Sequence, residues 1–303
     1  MGKIAFMFPG QGAQYVGMGK DFYDQITVSK NAFLTASKVV GLDLQKLCFE
    51  ENSDLNITEY TQIAMLTVEV AMLYALEEKG IKSDINIGLS LGEYSALVAS
   101  GVLSFEDACK VVRQRGIYME KEVPAGFGAM SAVLGLEATA IEDCISNIDG
   151  NVQIANYNCP GQIVISGDLK AVTEAGKALA EVGARRVIPL NVSGPFHSQL
   201  LRGVGDKLAT VLENVTINEI KIPYVANYTA QYVEDKNDVK ELLKKQVYSS
   251  VKFEQSIKML IEDGVDTFIE IGPGKTLSGF VKKIARDVTI FNVEKVGDLG
   301  LLG

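Results

Sequence analysis

Five residues, Gly88-Leu89-Ser90-Leu91-Gly92, constrain this chain more than any other stretch, because they join an apolar extended run, Ile85 to Leu89, to a segment of helical character. A serine flanked by glycines at such a junction reads as a nucleophile elbow, a strained strand-to-helix turn from which the hydroxyl projects at the strand end. The glycines admit a close approach of helix to strand that a side chain would block. The helix N-terminus that follows presents backbone N–H groups to a developing oxyanion. Small-residue loops entering helices are also ordinary packing chemistry, so the pattern gains meaning only from its partners.

The surrounding chain has the rhythm of a parallel sheet covered by helices. Ile4 to Phe8 and Ile85 to Leu89 read as strands, and Glu59 to Lys79 carries Ile63, Leu66, Val70, Leu73 and Leu76 at helical spacing. From about Gly126 the rhythm changes. Ala129 to Leu136 predicts a strand, Ala138 to Asn147 a helix, and Val152 to Tyr157 with Gln162 to Ser166 a strand pair across Asn158-Cys159-Pro160-Gly161. Leu169 to Val182 then predicts a helix and Arg185 to Leu190 a strand. That β-α-β-β-α-β order is the ferredoxin-like arrangement. The α/β pattern resumes with helices at Leu200 to Leu212 and Glu254 to Glu262 and a buried strand at Thr267 to Ile271. The expected organisation is a discontinuous large α/β domain, residues 1–126 and 195–303, carrying a small inserted domain, residues 127–194.

A serine nucleophile needs a base, and histidine is the usual one because its unperturbed pKa lies near neutrality. The chain has a single histidine, His197, in Ser193-Gly194-Pro195-Phe196-His197-Ser198, where the insert hands back to the large domain. Alone it would pass for a satisfied core or surface residue; beside the elbow it is the only histidine available as general base. No Asp or Glu stands out as its orienting partner, and a backbone carbonyl accepting the Nδ1–H serves the same purpose. In a helix from about Phe105 to Met119, Arg115 shares a face with Ala108, Val111, Val112 and Met119. A guanidinium on an apolar stripe needs an anion, either a structural carboxylate or that of a substrate. Phe8-Pro9-Gly10-Gln11-Gly12-Ala13-Gln14 is a glycine turn at a strand's C-terminal end, the edge where open α/β sheets bind ligands, and the Gln11 N–H is a candidate oxyanion donor.

Other readings fail on spacing. The third glycine of a dinucleotide fingerprint would fall at Tyr15, and a phosphate loop ending in Gly274-Lys275-Thr276 would require glycine at Ile269. Gly272-Pro273-Gly274 instead predicts a tight strand-to-helix turn, with Lys275 at the surface. Cys48, Cys109, Cys144 and Cys159 form no C-x-x-C pair and, with one histidine, argue against an all-protein zinc site; they read as reduced core thiols. The formal charge of −9 disfavours sequence-independent nucleic-acid binding, and no apolar stretch is long enough to cross a bilayer. The opening Lys3 to Phe8 reads as a strand rather than a leader, which makes cytoplasmic residence the expectation.

Taken together, Phe8 to Gly12, Gly88 to Tyr94, Gln114-Arg115, Gly128 to Met130, Asn156 to Gly161, Pro195 to His197 and Gly272 to Lys275 resemble the malonyl-CoA:acyl carrier protein transacylases along nearly the whole chain. The resemblance implies an α/β-hydrolase-like large domain with a mainly parallel sheet and a ferredoxin-like insert. It implies that Ser90 is acylated, that His197 is base and then acid, and that Arg115 holds the malonyl carboxylate. It further implies an oxyanion hole from the N–H groups of Leu91 and Gln11, a histidine-orienting carbonyl at Gln246, and acyl selectivity at Phe196, where space for an α-methyl group is limited. Malonyl-CoA and holo acyl carrier protein would be substrates, with no permanently bound cofactor and no metal. One departure stands out: relatives usually carry histidine before the serine, and this chain has Leu89. The acidic chain would need a local basic patch for an acidic carrier; Lys275, Lys282 and Lys283 are candidates, or simply a solvated helix face. The competing functions are a serine thioesterase or carboxylesterase and a catalytically silent carrier-docking module. Fatty-acid or polyketide context stays open, as does a monomeric state.

Overall fold

The structure, a computed structural model, describes residues 2–124 and 126–302. The chain begins with β1 (Lys3–Phe8), three helices, α1 (Lys20–Gln25), α2 (Thr27–Val40) and α3 (Leu44–Phe49), and the long α4 (Thr58–Glu78). Next come β2 (Ile85–Gly88), α5 (Gly92–Ala99) and α6 (Phe105–Lys121). The middle of the chain runs β3 (Gly128–Leu134), α7 (Ala138–Ile145), β4 (Val152–Cys159), β5 (Gln162–Asp168), α8 (Leu169–Glu181) and β6 (Arg186–Pro189). After α9 (Arg202–Glu213) follow a short hairpin, β7 (Val225–Ala226) and β8 (Gln231–Tyr232), then α10 (Val239–Gln246) and α11 (Phe253–Glu262). β9 (Val265–Ile271), α12 (Thr276–Ile284) and β10 (Thr289–Val293) complete the regular structure.

The architecture is α/β. Strands β10-β9-β1-β2 form a sheet whose neighbours are all parallel. Its register pairs Phe8 with Gly88 and Met7 with Glu270, so three strands end together. Their following loops, at 9–13, 89–91 and 272–275, therefore meet on one edge, as ligand-binding loops of open α/β sheets do. Strands β4-β5-β3-β6 form a separate antiparallel sheet. With α7 and α8 it encloses its own core of Val133, Ile141, Ile154, Ile163, Ile165, Val172 and Leu179. Backbone bonds from Tyr157 and Val251 tie β4 to the segment before α11.

Several boundaries differ from the sequence reading for identifiable reasons. β3 stops at Leu134 rather than Leu136 because Gly135, at φ 87°, turns the chain. β5 runs on to Asp168, which pairs with Gly128 and then caps α8 through its carboxylate and the Ala171 N–H. β9 starts earlier, at Val265, because Lys3 pairs with it. α4 departs most in character: it is buried on nearly every side, Gln62 and Glu69 included, because it packs against α2, α5 and α6. Three cysteines are buried and Cys144 only partly so, and all four are free thiols. No helix among the described residues is long and apolar enough to cross a membrane.

The crossing of α5 over the ends of β1 and β2 sets a strict steric condition beside the elbow. A Cβ added to Gly92 would lie 2.0 Å from the Phe8 carbonyl oxygen, and one on Gly88 would lie 1.9 Å from the Gly92 carbonyl carbon. Both obstacles are backbone and have no rotamer to yield. Gly92→Ala is therefore expected to destabilise the protein by about 2–3 kcal/mol, read as a lowered urea midpoint; an unchanged midpoint would mean that α5 can slide without cost.

Candidate active site

Ser90 sits between β2 and α5 at φ 57°, a left-handed conformation that non-glycine residues rarely adopt. The elbow expected from the flanking glycines is thus present. Leu91 already has helical dihedrals, and the first turn of α5 closes behind it. A second left-handed residue faces the serine: His197, at φ 56°, in the loop between β6 and α9. That loop is braced by Ser198 Oγ donating to the Pro195 carbonyl, 2.7 Å, and by Gln153 of β4 donating to the His197 carbonyl, 2.9 Å.

The His197 tautomer follows from its neighbours. Nδ1 lies 2.8 Å from the Gln246 carbonyl oxygen, which can only accept, so Nδ1 carries the hydrogen. The Nε2 lone pair is left facing Ser90 Oγ at 2.7 Å, and the hydroxyl donates to it. Burial, and then the nearby Arg115 cation, pull the His197 pKa down to about 4. The imidazole is accordingly neutral and competent as a base at neutral pH.

Arg115, on α6, is fully buried. Nη1 donates to Gln62 Oε1 at 2.7 Å, while Nη2 donates to Gln246 Oε1 at 3.0 Å and to Ser90 Oγ at 3.1 Å. The guanidinium also lies 5.5 Å from the Tyr94 ring centre. Every acceptor bound is neutral. Among the described residues no carboxylate lies within ion-pair distance, and Nε is buried without a partner. Burial pushes the Arg115 pKa down, the direction expected of a desolvated cation. Of the two anions open to this residue on sequence grounds, the structural carboxylate is not in contact.

Ser90, His197 and Arg115 line a cleft of about 250 Å³ between the parallel-sheet loops and the antiparallel sheet. Gln11, Leu89, Leu91 and Phe196 line it too, as do Met130, Asn156 and Asn158 from the opposite wall. Among the described residues, the N–H groups of Gln11 and Leu91 find no protein acceptor. The Gln11 side chain donates to Thr58 Oγ1 at 3.1 Å, pinning the glycine loop to the start of α4. The Leu89 side chain packs partly against the apolar layer of Met7, Ile87 and Phe280.

Gly272-Pro273-Gly274 is the strand-to-helix turn expected, and a carboxylate of the protein already occupies the first turn of the helix it opens. The N–H groups of Leu277 and Ser278 are bound by the Glu270 carboxylate at 3.0 and 2.8 Å, so the protein supplies the anion itself. Leu277 and Phe280 reach the cleft wall. Lys275, Lys282 and Lys283 are exposed, and Lys283 donates to Gln162 of the antiparallel sheet at 3.0 Å.

Sequence reasoning missed three polar residues around the serine, Gln62, Asn227 and Glu93, and the part played by the Gln246 side chain. Gln62 and the Gln246 side chain hold Arg115. Gln246 Nε2 also donates to the Ser90 carbonyl and to Glu93 Oε2, 2.8 Å each. Asn227 accepts from the Ser90 N–H and donates to the Gly88 carbonyl, both at 2.6 Å. Glu93, wholly enclosed, has its pKa raised to about 7 by burial. A glutamine inside an otherwise apolar helix and a glutamate beside the elbow were the available signals. Asn227 had none. No group of three or more His, Cys, Asp or Glu that could hold a metal occurs among the described residues.

Residues 5–299 match the family model described as "Acyl transferase domain". Over 290 residues the chain is 50% identical to the malonyl CoA-acyl carrier protein transacylase of Bacillus subtilis, covering 94% of this chain and 92% of that protein. The solved malonyl CoA-acyl carrier protein transacylase of Clostridium perfringens superposes with a TM-score of 0.96 at 46% identity, covering 99% of this chain and 95% of that one. A malonyl-transacylase solved in complex with a type II polyketide acyl-carrier protein superposes equally well, TM-score 0.96 at 36% identity, covering 99% and 98%.

The base carries its lone pair only while unprotonated, so Ser90 reactivity should rise with pH through the His197 pKa and then plateau. Labelling by a serine-directed fluorophosphonate is expected to show an apparent midpoint near 4. A midpoint at the 6.5 of an ordinary imidazole would mean that the ring is solvated rather than enclosed.

Proposed function

The chain belongs to the acyl transferase family, and from that premise we propose that it moves the malonyl group from malonyl-CoA to the phosphopantetheine thiol of acyl carrier protein through a malonyl-serine. The observation that carries this reading is a buried arginine with only neutral partners, 3.1 Å from a serine hydroxyl that donates to a neutral histidine. Serine and histidine alone would serve any acyl transfer. The uncompensated guanidinium selects an acyl group bearing a carboxylate of its own.

In the first half-reaction Ser90 Oγ attacks the thioester carbonyl while Nε2 of His197 takes its proton. The new imidazolium is stabilised through Nδ1–H by the Gln246 carbonyl. The tetrahedral oxyanion is held by the N–H groups of Leu91 and Gln11, each worth about 3–4 kcal/mol of barrier by analogy with other oxyanion donors. His197 returns the proton to the departing coenzyme A thiolate. In the second half-reaction it deprotonates the carrier's thiol, which attacks the malonyl-serine and regenerates the hydroxyl. Substrates supply all the exchanged groups, and no resident cofactor is required. Arg115 exchanges its bonds to neutral oxygens for the malonyl carboxylate, and an acetyl group leaves it without that anion. Phe196, against the acyl position, limits room for an α-methyl substituent.

The same reading assigns residues 1–126 and 195–303 to an α/β-hydrolase-like catalytic domain and residues 127–194 to a ferredoxin-like insert. It is supported by the strand–elbow–helix unit at Ser90 and by the β4-β5-β3-β6 order. Cytoplasmic residence belongs to it as well, supported by four free thiols.

Ser90→Ala should abolish the malonyl adduct seen by intact mass after mixing with malonyl-CoA; a persisting adduct would move the nucleophile elsewhere. Arg115→Ala should lower malonyl transfer by about 10²-fold and raise acetyl use relative to malonyl. An unchanged ratio in an acyl-CoA panel with carrier acceptor would return Arg115 to a purely structural role.

A further inference from the structure

Ser90 keeps its left-handed backbone although nothing in its own side chain favours that conformation, which costs of order 1–3 kcal/mol for such a residue. Something outside the turn must hold it. Asn227, just past β7 and 137 residues away in sequence, brackets the serine on both sides: Oδ1 accepts from the Ser90 N–H at 2.6 Å and Nδ2 donates to the Gly88 carbonyl at 2.6 Å. Its own backbone is fixed in turn, the N–H on Glu93 Oε2 at 3.1 Å and the carbonyl on the Lys252 N–H at 3.0 Å. The side chain is buried. One amide thus replaces the strand and helix bonds that the elbow cannot make for itself.

We infer that Asn227 is a positioning residue for the nucleophile, and that it assigns the oxyanion site by taking the Ser90 N–H out of it. With that N–H turned to Asn227, the N–H groups of Leu91 and Gln11, both in the cleft lining and without a protein acceptor among the described residues, stay available to an oxyanion. An amide suits this place because one end must accept and the other donate. A carboxylate would set an oxygen against the Gly88 carbonyl, and an aliphatic side chain would leave two buried backbone groups unpaired. The inference rests on Ser90 being the acylated residue.

The test follows acyl-serine formation by rapid quench and intact mass in wild type, Asn227→Ala and Ser90→Ala. For Asn227→Ala, acylation at saturating malonyl-CoA should slow by about 10²-fold while the half-saturating concentration stays within about twofold, because Arg115 and the acyl pocket are untouched. A wild-type rate, or a loss confined to the half-saturating concentration, overturns the inference. An adduct on Ser90→Ala would sink the nucleophile assignment instead, so the two failures are distinct. Should Asn227→Ala not fold, wild-type protein answers by amide exchange: the Ser90 hydrogen should exchange roughly 10²-fold more slowly than that of Leu91, and equal exchange counts against Asn227.

Discussion

The site depends on how closely α5 crosses the end of β1. Two glycines, Gly88 and Gly92, let backbone meet backbone at a separation no Cβ would permit. That contact brings the start of α5 against the loop after β1, so N–H groups from two remote segments converge beside one hydroxyl. A wider crossing would leave the serine in place but part the two N–H groups proposed to hold the oxyanion. The strain at Ser90 is the cost of this geometry, and Asn227 and Gln246 offset it with hydrogen bonds to both backbone groups of that residue.

Around the elbow the molecule tolerates an unusual concentration of enclosed polar groups. Arg115 is satisfied by amide and hydroxyl oxygens rather than by a carboxylate, which keeps its charge available to an incoming anion. Glu93 lies near enough to influence it but spends its contacts on Gln246 and Asn227. A direct ion pair would have stabilised the resting protein and, on the proposed reading, blunted its preference for a charged acyl group. Gln246 links two sides of the site, because its carbonyl accepts from the histidine Nδ1–H while its amide holds both the arginine and the serine backbone.

What could be read from the sequence was whatever leaves a local pattern. Ser90 announced itself through flanking glycines, Arg115 through an apolar helical face, and His197 by being the sole histidine. The alternation of strands and helices was legible, including the β-α-β-β-α-β order. Other features were hidden for physical reasons. A backbone carbonyl has no side-chain signature, so the role of Gln246 followed only from family resemblance. Asn227 acts across 137 residues with no spacing to betray it. Helical periodicity describes one-sided burial, and α4 is buried almost all round, which concealed Gln62 and Glu69 among its apolar positions.

The distances along the chain between the parts of this site bear on how it comes into being. Ser90 and Gln246 are 156 residues apart, and the histidine, its orienting carbonyl and the asparagine all follow the serine. At ribosomal speeds of about 5–20 residues per second, roughly ten to thirty seconds separate synthesis of the hydroxyl from synthesis of the last group bonded around it. Throughout that interval the nascent serine is an ordinary alcohol. On the proposed reading, acyl chemistry is therefore withheld from unfinished protein by topology alone, and begins only when the fold is complete.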